Sequence, residues 1–168
     1  LAKYVKIAIL SKTSLMSTPW YPHVTVATVI EDDGKFLIVE ENDEGKTVLN
    51  QPAGHLEQNE SLVQAAIRET LEETRWQVRI DGYVGVALYT APSNGVTYCR
   101  QTFYGTAIKE ITGATLDDGI IRPLWLSMEE LHERKSDWRS ELLPQTIQQY
   151  LDGHRYPLSS LYGFANDV

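Results

Sequence analysis

The sequence predicts an α/β chain of the α+β kind, a mixed β-sheet with helices packed against it. Two pairs of β-branched, apolar runs are each joined by turn chemistry, and one long helix signal lies between them. The first pair is HVTVATVI (23–30) and KFLIVEE (35–41), and the EDDG between them is hairpin chemistry in which Gly34 is free to take positive φ. A short strand, TVLNQP, follows and ends at Pro52. The second pair is GYVGVALYT (82–90) and VTYCRQTFYGTAI (96–108), joined by the turn APSNG. Alternation in its second arm puts Tyr98, Arg100, Thr102 and Tyr104 on one face and Cys99, Gln101 and Phe103 on the other.

The helix between the pairs is expected to start at a cap, Asn59 or Ser61, with Glu60 in its first turn, and to run to about Thr74. Later come a strand RPLWL, a short helix SMEELHER, and a helix LLPQTIQQYLD that closes on Gly153. No repeat, low-complexity run or interdomain linker is visible, so residues 16–168 are expected to form one domain. Residues 1–15 are expected to be an extension outside it, because the chain opens on Leu1 and Met16 precedes STPWYPHVTV.

The 168 residues carry a formal net charge of -8 with a sequence pI near 5.0. That balance argues against nucleic acid or an anionic membrane as partner, since both reward clustered Lys and Arg. An anionic small molecule stays open if a metal ion or a local arginine offsets the repulsion. Cys99 stands alone, which excludes an intrachain disulfide and a thiolate zinc cluster and fits a reducing cytoplasm. His23 and His55 have no second histidine at ligand spacing along the chain, so no zinc site is expected.

The chemistry concentrates in RETLEETRW (68–76). On a helical wheel Glu69, Glu72 and Glu73 share an arc of about 120° with Leu62, Ala65 and Ala66, while Val63, Ile67, Thr70, Leu71 and Thr74 form the back. Like charges at these spacings each destabilise a helix by about 0.2–0.5 kcal/mol, and Arg68 offsets one of them at most. Such a face is either simply solvated or a site for a hard cation, with the alanines leaving room for a ligand. Mg²⁺, or Mn²⁺ in its place, takes oxygen ligands and bridges to phosphate. The loop NQPAGHLEQNE leads into the helix and can offer backbone groups to a metal–phosphate complex.

Gly54, five residues, Glu60, seven residues and then RETLEETRW resemble the Nudix box, G-x5-E-x7-R-E-U-x-E-E-x-G-U with U a bulky apolar residue. The segments HVTVATVIEDDGKFLIVEE, LNQPAGHLE, RETLEET and HRYPL further resemble a bacterial phosphatase branch of that family, over most of residues 22–158. Two positions depart from the box: Thr70 stands for the apolar U, and Arg75 stands where the box has glycine. A left-handed Arg75 would cost about 1 kcal/mol, unless the helix ends by another route.

The resemblance implies an α-β-α sandwich and a Mg²⁺-dependent phosphoanhydride hydrolase. In that scheme Glu69, Glu72 and Glu73 bind the metal with the carbonyl of Ala53, Arg68 orients the row, and Glu57 and Glu60 hold the loop or join a further metal. Glu69 is the first choice of general base. Asp117 and Asp118 are the alternatives, unless they merely form a solvated turn. Arg100 reads as a phosphate contact or an ordinary surface arginine. Trp20, Tyr21 and Tyr89 read as stacking partners for a base or as core.

The implied reaction removes terminal phosphate from nucleoside tri- and diphosphates and from thiamine-type pyrimidine pyrophosphates, by a monomer in the cytoplasm. Two alternatives stand beside it: a pyrophosphohydrolase of nucleoside diphosphates linked to another moiety, and a binding module without turnover. The intact glutamate row speaks against the last.

Overall fold

The computed structural model describes residues 19–162, so the expectation for residues 1–15 lies outside the described residues. Seven strands and three α-helices follow one another as β1 (His23–Asp32), β2 (Lys35–Asp43), β3 (Lys46–Asn50), β4 (Ala53–His55), α1 (Leu62–Thr74), β5 (Trp76–Thr90), β6 (Thr97–Glu110), β7 (Ile120–Leu126), α2 (Met128–Glu133) and α3 (Leu142–Leu151). The sheet runs β3-β2-β1-β6-β5, with β4 on β1 and β7 on β2. It is mixed: β1 and β6 are parallel, and the other pairs are antiparallel.

Both strands of the first hairpin alternate between two apolar clusters. Val26 and Ile30 of β1 and Leu37 of β2 join Phe103, Ala65 and Ala66 on the α1 side. Val29, Phe36 and Ile38 join Leu131, Leu143 and Ile147 of α2 and α3. With a side-chain period of two, neighbouring residues must point to opposite faces, so helices cover both sides of the sheet. The expected sandwich is therefore present.

The EDDG turn places both Asp33 and Gly34 at positive φ (48° and 74°), the backbone of a two-residue type I′ hairpin. A second turn of this kind, unforeseen in the sequence, uses Glu44 and Gly45, with Asn42 Oδ1 accepting from the Gly45 amide at 2.8 Å.

Three expectations need correction. The segment after Pro52, read as a loop, is in part a strand: Ala53–His55 pairs with Thr25–Ala27 as β4. Glu60 precedes the helix: Ser61 is the N-cap, in a reciprocal capping box with Gln64, and the first turn holds no acid. Finally, the buried face of α1 is only partly the expected back: Val63 and Ile67 of that arc pack half-buried against the core, and the fully buried face is rotated toward the glutamates. It runs through Ala65, Ala66, Glu69, Thr70, Glu73 and Thr74. The alanines are fully buried against the sheet and leave no room for a ligand. Thr70 uses its hydroxyl inside this face, on the Ala66 carbonyl at 2.7 Å and on Thr28 Oγ1 at 2.8 Å.

Candidate metal centre

The register of β4 against β1 sets the site. Pro52, Ala53 and Gly54 run beneath the glutamate face of α1, and the Glu69 carboxyl lies directly over Gly54. A Cβ built at Gly54 would stand 2.1 Å from it, so only glycine admits this approach. Glu73, 8% exposed, accepts the Ala53 amide at 2.8 Å through Oε2. What the structure shows of Ala53 is thus its N–H holding a glutamate in place.

Arg68 ties the rest together. Its guanidinium donates to Glu60 at 2.7 and 3.0 Å, to Glu69 at 2.7 Å, to Glu72 at 3.0 Å and to the His55 carbonyl at 3.0 Å. Glu60 also accepts the Glu57 amide at 2.7 Å. The Arg68 hydrogen bond is the main reason the Glu60 carboxyl sits below the usual carboxylate range. Burial instead pushes Glu69 up, even against the pull of Arg68. It pushes Glu73 up to about 8; the Ala53 amide opposes that shift, and Glu41, Glu69 and Asp117 add to it. The cluster is short of positive charge.

Glu57, Glu69, Glu72, Glu73 and Asp117 line one cleft of about 420 Å³. Asp117 is brought there by its amide, which donates to the Glu72 carbonyl at 3.0 Å beyond the end of α1. Asp118 and Glu60 are not in its wall. Of the two aspartates considered as bases, the structure therefore sets Asp117 beside the row. In kind the carboxylates fit a hard divalent ion, while the Arg68 guanidinium among them is a cation that holds them and not a ligand. As they stand, no three of these side chains are gathered for a metal ion among the described residues, because Arg68 holds Glu69 and Glu72 while the Ala53 amide holds Glu73.

A second cleft of about 590 Å³ adjoins the first and shares Ala53, Gly54 and His55 with it. Tyr89, Tyr98, Arg100 and Arg139 stand in its wall. Arg100 is 6% exposed, which removes the surface-arginine reading. It donates to Gln51 Oε1 at 3.1 Å, and burial lowers its pKa to about 10. Trp20 and Tyr21 are largely exposed and lie outside both walls. Two features escaped the sequence. Arg139 enters the cleft from 39 positions beyond Arg100, with no motif around it. His23 and His55, 32 residues apart, face each other with Nδ1 and Nε2 at 3.4 Å.

At the helix exit Arg75 takes the left-handed conformation, φ 63° and ψ 7°, and its amide donates to the Leu71 carbonyl at 2.7 Å. The arginine thus occupies the backbone state that favours glycine, and its guanidinium lies 3.4 Å from Glu110.

The NUDIX domain family matches residues 21–146. Phosphatase NudJ of Escherichia coli strain K12 is 39% identical over 144 residues, covering 85% of this chain and 92% of that protein. NudJ thus belongs to the phosphatase branch that the flanking segments resemble. A NUDIX hydrolase from Nitrosomonas europaea superposes with a TM-score of 0.84 at 43% identity, over 88% of this chain and 100% of that one. A UDP-X diphosphatase at 17% identity and a TM-score of 0.67, over 86% of this chain and 70% of that one, shares the fold.

Proposed function

The chain belongs to the NUDIX domain family and is a Nudix hydrolase, and on that premise we propose that it cleaves phosphoanhydrides in a Mg²⁺-dependent reaction, releasing terminal phosphate as its NudJ relative's name suggests. The substrates are nucleoside tri- and diphosphates and thiamine-type pyrimidine pyrophosphates. The observation that carries the reading is the junction of the two clefts: an acidic wall short of cations meets a wall holding the buried Arg100. An anionic substrate lying across both, with a divalent ion, supplies what each wall lacks.

Glu69, Glu72 and Glu73 would hold Mg²⁺, with Ala53 and Glu57 beside them; Mn²⁺ is the expected substitute. Bound there, the ion would offset diphosphate charge and make a water easier to deprotonate. Arg68 is a positioning residue, since its Nη1 donates to both Glu69 and Glu72 and sets their orientation. Glu69, raised by burial, takes the proton of the attacking water, and Asp117 is the second carboxylate within the same cleft. Arg100 and Tyr89 hold the far part of the substrate, the first by charge and the second by stacking on a ring. The setting is a monomer in a reducing cytoplasm.

The test is a phosphate-release screen over nucleotides and pyrimidine pyrophosphates, with Mg²⁺ and with EDTA. Orthophosphate from a nucleoside triphosphate, abolished by EDTA, is the expected result. Release of nucleoside monophosphate with pyrophosphate or a second phosphorylated moiety would replace this reading with that of a pyrophosphohydrolase.

A further inference from the structure

Sheet register brings His23 and His55 together. On β1, His23 lies directly opposite Tyr98 of β6 and two residues from Thr25, which pairs with His55 of β4. Residues two apart share a face, so His23 and His55 are diagonal neighbours on one side of the sheet. Their ring centroids are 5.6 Å apart, and both residues are exposed. Among the described residues, the hydrogen bonds give neither imidazole another side-chain or backbone partner.

The separation of 3.4 Å between Nδ1 of His23 and Nε2 of His55 is long for a hydrogen bond. Two nitrogens each about 2.0–2.1 Å from a tetrahedral ion stand roughly 3.4 Å apart. We infer that His23 and His55 form a two-nitrogen site for a borderline divalent transition-metal ion of the Zn²⁺ class, separate from the carboxylate row. Imidazole nitrogen selects such ions, whereas the carboxylates of α1 select Mg²⁺ or Mn²⁺. His55 lines both clefts, so an ion held there stands at their junction with its remaining positions open to water or to a substrate oxygen.

The test uses the folded protein in millimolar Mg²⁺, which keeps the carboxylate row occupied. Zn²⁺ is titrated against a chromophoric chelator, and Cu²⁺ is added as a spectroscopic probe whose electron paramagnetic resonance counts coordinated nitrogens. The wild type is expected to take up one Zn²⁺ and to show two nitrogens on Cu²⁺. His23→Asn and His55→Asn should each leave one nitrogen and weaken Zn²⁺ by at least about tenfold, the smallest loss expected when even a supporting group of a metal ligand is removed. Glu73→Gln should leave the two-nitrogen signal unchanged. Wild-type Zn²⁺ affinity in the histidine variants, no nitrogen signal in the wild type, or loss of that signal in Glu73→Gln would each overturn the assignment.

Discussion

Glu73→Gln separates what the glutamate row costs the fold from what it does for the reaction. Burial and the neighbouring carboxylates Glu41, Glu69 and Asp117 lift the Glu73 carboxyl from an ordinary 4.5 to about 8 in the metal-free protein. A carboxyl raised in the folded state makes the unfolded chain the readier to lose its proton. Above pH 4.5 the fold therefore loses about 1.4 kcal/mol per pH unit until pH approaches 8. At neutral pH the penalty reaches about 3 kcal/mol. Glutamine keeps the acceptor for the Ala53 amide and carries no charge, but its buried NH₂ group costs about 1–3 kcal/mol if it finds no acceptor. A net stabilisation of about 0–2 kcal/mol follows, or a rise in Tm of up to roughly 8 °C at about 2–4 °C per kcal/mol.

The assay is thermal denaturation in EDTA at neutral pH and again below pH 4.5, where the ionisation penalty vanishes and any remaining difference reports only the amide. Repeated with saturating Mg²⁺, the wild type should gain stability by mass action and the variant much less. Phosphate release should fall by orders of magnitude. A stability difference between variant and wild type in EDTA that is the same at neutral pH as below pH 4.5 would refute the burial and repulsion reasoning. Unchanged Mg²⁺-dependent hydrolysis would refute the metal assignment.

Three further perturbations probe other parts of the structure. Gly54→Ala places a Cβ 2.1 Å from the Glu69 carboxyl, the far end of a flexible side chain, so turnover should collapse while Tm changes little; full activity would show that Glu69 need not lie over Gly54. Arg75→Gly relieves about 1 kcal/mol of left-handed strain and gives up only a partly exposed ion pair with Glu110, so a small rise in Tm is expected, and a clear drop would mean that the Arg75 side chain makes a needed contact. Glu40 is held below the usual carboxylate range by hydrogen bonds from Arg122 and then Arg134, and it contributes stability that is present above its unfolded pKa and lost as pH falls through the folded value. Glu40→Gln should thus lower stability at neutral pH by about 1 kcal/mol, after allowance for the exposed arginines, and the gap to wild type should close in acid; a gap independent of pH would show that ionisation is not the cause.

Much of the fold was legible because its cues are local. Asp33–Gly34 and the Ser61 cap each act through neighbours a few residues away, and period-two apolar runs mark strands whatever their partners. The buried face of α1 was misread for the opposite reason. Wheel arithmetic gave the right arc for Glu69 and Glu73, but hydrophobicity assigned the sheet contact to the opposite arc and left Ala65 and Ala66 facing a ligand. Packing assigned it to the sheet, where the Ala53 amide and the glycine at 54 receive the carboxylates.

The sequence by itself determined the chemistry on offer: a row of carboxylates with Arg68 at fixed helical spacing, preceded by a glycine, and an arginine at 75 where the box has glycine. Spacing along one helix is local, and the chain carries it without help. Only the tertiary structure decided which groups face those carboxylates. Asp117 arrives through a hydrogen bond from its backbone N–H to the Glu72 carbonyl near the end of α1, Arg100 and Arg139 meet in one wall from strands and turns far apart, and His23 meets His55 because β4 pairs with β1 in one register. Charges and ring nitrogens act over a few ångströms of space, and strand register, which no short stretch of sequence encodes, sets those distances.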